Sequence, residues 1–369
     1  MGRQLLQGKI WPERILFFST IFLVLTGVVM VYSASSIMAD KRFGDSFFFL
    51  KRHTVYAMLS IAAMIAVARV DYRRIEKVVY PFLAFSFFLL LMLLIPGVGT
   101  EVGGATRWLR IGPLSLQPSE PAKLAVIFFL AFSFSKKKDM TDFKTGFLPY
   151  IVVMAMFLSL MLMQPDFGTA MTLAGIVFVM LFVAGARLIH LGGLTAMMVV
   201  AASILVAGSE YRRKRILSFI DPWSDPQDTG FQIIQSFLAF GSGGWTGRGL
   251  GEGRQKLFYL PEPHTDFVLP VIGEEIGFIG LVAVILLFVL VVMIGIRAAL
   301  KAEEEFGRYL AIGITSMIAL QAIINMGVVM GLLPTKGLPL PFISYGGTSL
   351  IVNMIGVGIL LSITERGRS

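Results

Sequence analysis

Apolar runs long enough to cross a lipid bilayer recur from one end of this chain to the other, and no other feature narrows its fold as much. A spanning helix needs about 20 apolar residues, because its backbone must satisfy its own hydrogen bonds where no water is present. Ten segments fit that pattern, near residues 15–33, 54–68, 79–95, 121–134, 147–163, 169–186, 188–207, 276–296, 309–330 and 342–363. The second and fourth look short. The expected fold class is all-α: a polytopic integral membrane protein of about ten transmembrane helices. Hydrophobic residues make up 56% of the chain and charged ones 15%, far from the soluble norm. No soluble domain of independent size interrupts the pattern, so residues 1–369 read as one transmembrane domain.

An even number of spans puts both termini on one side, and the positive-inside rule selects that side. With the N-terminus inside, basic residues on the inner segments outnumber those outside by about two to one, once the long insert is set aside. Both termini are expected in the cytoplasm. The polar insert, residues 209–266 between spans seven and eight, is expected outside. The N-terminal apolar run is followed by no small-residue cleavage site and reads as a retained span. The formal charge of +9 is explained by this topology, and basic residues are not interleaved with aromatics on a soluble surface, so nucleic-acid binding is rejected. Cysteine is absent, which removes disulfides, thiolate nucleophiles and Cys-ligated metal. His53, His190 and His264 are scattered, and no pair has helical metal-ligand spacing. No cofactor is identified; whether a divalent cation assists is not written in the sequence.

Polar motifs gather at the expected outer ends of the spans. Asp266 follows His264 and Thr265 at the seam between the insert and an apolar run. A carboxylate half-sunk there loses hydration, which raises its pKa and suits it to general-base work; capping the next helix is the competing role. Glu274 and Glu275 read as interfacial acids near the start of span eight, at least one paired with a base. In Gln117-Pro118-Ser119-Glu120-Pro121-Ala122-Lys123, Ser119 reads as an N-cap, and Glu120 and Lys123 share a helical face. An internal ion pair and contact with an anionic head group are both open to them. Asp166, in Gln164-Pro165-Asp166-Phe167-Gly168-Thr169, reads as the cap of span six.

Arg212-Arg213-Lys214-Arg215 complements a phosphate at the interface, or belongs to a helix lying on anionic lipid. The glycine run from Gly241 to Gly253 carries Arg248 and leads to Lys256, but does not match a nucleotide P-loop. Thr335-Lys336-Gly337 and Pro341-Phe342-Ile343-Ser344-Tyr345-Gly346-Gly347 break the entry to the last span. They line a cavity or make a close-packed surface of small residues.

These motifs, in this order, resemble the SEDS family (shape, elongation, division and sporulation), the membrane glycosyltransferases of bacterial cell-wall synthesis. The matching stretches are 117–123, 164–169, 221–235, 260–277 and 333–349, and the resemblance covers nearly the whole chain. Thr335-Lys336-Gly337 and the run from Gln255 to Glu262 look like the division branch, with the elongation branch the nearest alternative. Pro121 departs from the family pattern, which usually has a bulky apolar residue there. The resemblance implies polymerisation of lipid II, an undecaprenyl-pyrophosphate-linked disaccharide peptide. It also implies a class B penicillin-binding transpeptidase as partner, among other division membrane proteins. Carried over by position, Asp266 is the catalytic aspartate, and Glu120 and Lys123 match polar residues needed for function. Arg212, Arg215, Arg248, Lys256, His264, Lys336 and Ser344 complete the expected substrate-binding set. The chemistry agrees: converting an α-linked sugar pyrophosphate to a β-linked glycan needs one displacement and one base, since pyrophosphate leaves readily. A flippase for the same lipid and a non-catalytic division scaffold are the other readings.

Overall fold

The computed structural model describes residues 12–102, 105–112, 114–137, 140–226, 230–256, 263–335 and 337–366. Helices overlap the ten segments read from the sequence: α1 (Pro12–Phe43), α2 (Phe48–Arg69), α3 (Val79–Met92), α4 (Ser119–Lys136), α5 (Leu148–Met163), α6 (Phe167–Val183), α7 (Leu188–Ala207), α10 (Val268–Lys301), α11 (Glu305–Val329) and α12 (Gly347–Arg366). Two more, α8 (Glu210–Ile220) and α9 (Phe231–Gly243), fold inside the polar insert. The protein is a polytopic helical membrane protein. Among the described residues, eight helical segments are long and apolar enough to span. Of the other two, α6 is apolar but has 17 residues, and α4 carries Glu120, Lys123 and Lys136.

Apolarity alone cannot sort these helices, since most are apolar on every side. Size and polarity do the sorting. On α1, Phe18, Phe22, Leu25 and Val29 face outward, whereas Ser19, Thr20, Ser33 and Ser35 are buried with Leu23, Val24 and Met30. Centrally placed α11 packs on α4, α6, α10 and α12, and α12 packs on α2. Peripheral α7 buries only Leu191 and Leu194.

A small antiparallel sheet, not expected in an all-α chain, fills the connection from α3 to α4. Its strands are β1 (Thr100–Val102), β2 (Ala105–Ile111) and β3 (Leu114–Leu116), in the order β1-β2-β3. Thr106, Trp108 and Ile111 are β-branched or aromatic residues that favour a strand. Leu109 pairs with Leu116 and packs on Leu89 and Leu93 at the end of α3.

The two ends of the bundle differ. At one, short connections are tied by the pairs Arg73–Glu304 (2.8 Å), Arg366–Asp71 (3.0 Å) and Lys136–Glu76 (3.4 Å). At the other, the sheet, the α5–α6 turn, the insert and the α11–α12 connection converge.

The longest helix is broken there. Span eight starts at Val268, not near Ile276, and bends at Gly277, whose φ of 76° and ψ of −168° no ordinary helical residue adopts. The groups freed at the break are taken by the glycine-rich run. Arg248 N donates to Glu274 O and Gly249 N to Glu275 O, both at 3.0 Å, while Phe278 N donates to Gly244 O at 2.9 Å and Ile279 N to Trp245 O at 3.1 Å. Backbone against backbone, the loop completes the helix.

Candidate active site

The two Gln-Pro motifs meet each other. Asp166 caps α6, accepting from Thr169 N (3.4 Å) and Thr169 Oγ1 (2.9 Å), as its position after a tight turn leads one to expect. Its other oxygen accepts from Ser119 Oγ at 2.9 Å and Gln117 Nε2 at 3.3 Å. Ser119 is therefore not the cap expected of it. Pro118 holds the cap position of α4, and the Ser119 hydroxyl turns to a carboxylate on the neighbouring motif, a charge-assisted bond a local backbone amide cannot match. Gln117 N also donates to Thr348 Oγ1 at the start of α12 (3.1 Å), which joins a third motif to these two.

One turn into α4, Glu120 and Lys123 lie fully inside the protein. Lys123 Nζ donates to Glu120 Oε1 at 3.0 Å and to Gln321 Oε1 of α11 at 2.9 Å. The internal ion pair is what the structure contains. Gln321 passes the contact on, donating to Pro339 O (3.0 Å) and Ser349 Oγ (3.1 Å). A turn further along α11, Asn325 Nδ2 donates to Leu338 O (2.6 Å) and to the carbonyl of Asp266 (3.0 Å).

Asp266 itself is half-buried, just before α10. Phe267 takes the cap position, so capping does not account for the carboxylate. Its Oδ2 lies where a side chain on residue 337 would begin: a Cβ added at Gly337 would stand 2.9 Å from it. Glycine leaves the carboxylate that seat, and a side chain there would push its tip aside. Beside it, His264 is buried against Phe49 and Tyr345, with ring centroids 4.4 and 5.6 Å away. Burial, with His53 nearby, pushes its imidazole down to about 4, so it is neutral at physiological pH.

The remaining expected site residues separate into two groups. Arg212 and Arg215 sit half-buried on α8. Arg212 Nη1 donates to Leu205 O at 2.9 Å, and Arg215 Nη1 to Thr335 O at 3.0 Å, two residues before the glycine under Asp266. Lys336 lies outside the described residues. Ser344 is buried and accepts from Leu340 N at 2.9 Å, closing a turn of the α11–α12 connection.

Arg248 and Lys256 turn instead to the acids inside α10. Lys256 Nζ donates to Glu275 Oε1 (2.6 Å), Gly251 O (2.7 Å) and Ser33 Oγ (2.9 Å), and Arg248 Nη1 stands 4.0 Å from Glu274. Glu274 also accepts from the backbone amides of Arg254 (2.8 Å) and Gln255 (3.1 Å), and Glu275 from that of Gly251 (3.1 Å). The base partner expected for at least one of these acids is Lys256, on Glu275. Both acids are fully buried two turns into α10, because the loop brings them the donors that water would have supplied.

Gln321 and Asn325 were not singled out from the sequence. Their signal was present: two amides four apart in an apolar span fall on one helix face and need partners there. Nothing local marked the Gly337 seat.

The profile of the FtsW–RodA–SpoVE family, described as a cell cycle protein, matches residues 13–369. The chain belongs to this family. Among its relatives, a probable peptidoglycan glycosyltransferase FtsW of Geobacter metallireducens is 51% identical, over 96% of this chain and 95% of that one. The FtsW–RodA–SpoVE fold is also seen in solved structures. A chain described under structural coordination of polymerization and crosslinking by a peptidoglycan synthase complex superposes with a TM-score of 0.78 at 30% identity, covering 95% of this chain and 98% of that one. The rod shape determining protein RodA of Thermus thermophilus gives a TM-score of 0.71 at 28% identity, covering 96% of this chain and 97% of that one. Within the family, the division-type relative is much nearer in sequence than this elongation-type structure.

Proposed function

We propose that this protein is a division-type peptidoglycan glycosyltransferase that polymerises lipid II into glycan strands at the outer face of the bacterial cytoplasmic membrane. The observation that carries the reading is Asp266: a half-buried carboxylate seated over a residue without a side chain, its backbone tied to α11. Asp266 takes the proton of the acceptor sugar hydroxyl as that oxygen attacks the anomeric carbon of the lipid-linked sugar. The bond to pyrophosphate breaks in the same displacement, its electron pair leaves on the phosphate oxygen, and configuration inverts. Arg212 and Arg215 hold the departing pyrophosphate from α8, with Lys336 next in sequence to the residues bonded to Arg215 and seated under Asp266. Neutral His264, two residues before the base, packs on Phe49 and Tyr345. The polyprenyl tail lies along the apolar helices.

Both termini are cytoplasmic in this reading, and the Asp266 end faces outward. The partner is a class B penicillin-binding transpeptidase among other division membrane proteins; likeness to a chain from a polymerising and crosslinking complex supports this. A transporter reading would claim the broken helix α10. Backbone groups freed at Gly277, however, bond to residues 244–249 of the loop, so the loop and not a substrate meets the break there.

Purified protein in liposomes, supplied with labelled lipid II, with and without the transpeptidase and a chelator, tests the proposal. Glycan polymer is expected. Transfer of the lipid between leaflets without polymer would establish the transporter, and neither outcome, even with the partner, would leave a scaffold. For orientation, a cysteine replacing exposed Ser224 should react with an impermeant reagent on intact spheroplasts. Reaction only after lysis would reverse the topology.

A further inference from the structure

Two buried side chains on α11 connect the Glu120–Lys123 pair to Asp266, and the connection has a direction. Gln321 and Asn325 are four residues apart and so share a face one helical turn apart. An ammonium group only donates, so the atom of Gln321 facing Lys123 Nζ at 2.9 Å must be its carbonyl oxygen. That fixes the amide, and its Nε2 is left pointing at Pro339 O and Ser349 Oγ. Asn325 holds the preceding carbonyl of the same segment, Leu338 O, together with the carbonyl of Asp266. Two successive carbonyls immediately after Gly337 are thus pinned to α11, and Gly337 is the residue over which the Asp266 carboxylate lies. Lys123 is 0% exposed and gives two of its three donors to protein acceptors, which leaves it poorly placed to meet a pyrophosphate.

We infer that Gln321 and Asn325 are positioning residues for the Asp266 carboxylate, and that the Glu120–Lys123 pair acts on catalysis through Gln321, by fixing its amide, rather than by touching substrate. The inference rests on Asp266 being the base. It assigns the segment from Gly337 to Leu340 the role of a platform set by α11.

The test measures kcat and KM for lipid II with the full-length protein in liposomes. Lys123→Met and Gln321→Leu should each lower kcat by about 10²-fold, the scale of a misplacement near 1 Å, with KM unchanged. The double variant should be no worse than either single. A raised KM for Lys123→Met, or losses that multiply in the double variant, would overturn the inference and return Lys123 to the pyrophosphate. Gln321→Glu keeps an oxygen for Lys123 but turns the Nε2 donor into a carboxylate oxygen and buries a charge, so its melt is read beside its kinetics. Per folded molecule its kcat should fall while KM holds; a normal kcat would sink the proposal. Asp266→Asn in the same assay separates the two levels. If it retains activity, the base assignment fails and this inference with it. If it is inactive while Gln321→Glu is normal, the positioning role alone is lost.

Discussion

Asp266 and the Glu274–Glu275 pair are acids within ten residues of each other, both set in apolar, glycine-bearing sequence where α10 begins. Their surroundings differ in how far they close the acid off from solvent. Around Glu274 and Glu275, three backbone amides, Lys256, Arg248 and Ser33 converge, and neither acid is open to solvent. Around Asp266, the protein holds the backbone carbonyl and clears a seat for the carboxylate, which stays half-buried. A buried charge whose partners are all supplied maintains the fold, whereas a held carboxylate that a substrate can reach can exchange a proton.

The contrast breaks first at Asp266→Asn. Asn keeps the shape and loses the proton acceptor, so polymerisation should fall by about 10²–10⁴-fold while insertion and transpeptidase binding persist. Near-normal glycan synthesis would make Asp266 as structural as its neighbours.

Glu275→Gln should behave in the opposite way. It strands the Lys256 ammonium in the interior, which costs about 3–5 kcal/mol, read as lower accumulation and an earlier melt, with turnover per folded molecule retained. Replacing Lys256 by Met in the same chain should restore part of the loss. Stable protein with no turnover would instead put Glu275 in the chemistry.

Gly277→Ala tests the splice between loop and helix. Its positive φ and the clash of the added Cβ with the Gly247 amide nitrogen should lower stability by about 1–3 kcal/mol, seen as faster proteolysis of the 241–256 loop. An unchanged protease pattern would mean that the break needs no glycine.

The smallest effect concerns His264. Its folded pKa, about 4, lies below the ordinary 6.5, so the unfolded chain binds the proton more readily. Its stability contribution is present above pH 6.5 and is lost as pH falls toward 4, with a slope of at most about 1.4 kcal/mol per pH unit. His264→Gln should flatten that part of the melting profile of detergent-purified protein. An unchanged slope would assign it elsewhere.

Apolar run length located ten helices in the sequence, because a membrane-spanning backbone has few alternatives, and it located the polar insert by default. The family motifs marked Asp266, Glu120 and Lys123 as residues of consequence, and the Asp166 cap followed from local turn chemistry. What no local pattern carried was the pairing of elements distant along the chain. The bond from Ser119 to Asp166, the fit of residues 244–249 into the break of α10, and the contact of Lys256 with both Glu275 and Ser33 all join different spans. So does the path from Lys123 through Gln321 and Pro339 toward the seat at Gly337. Hydropathy fixes how deep a helix sits but not which neighbours it meets, so the sequence determined the spans and the motifs. Only helix packing decided which acids are closed off inside the protein and which one stays half-buried, since a buried polar group takes its character from the partners that tertiary structure brings to it.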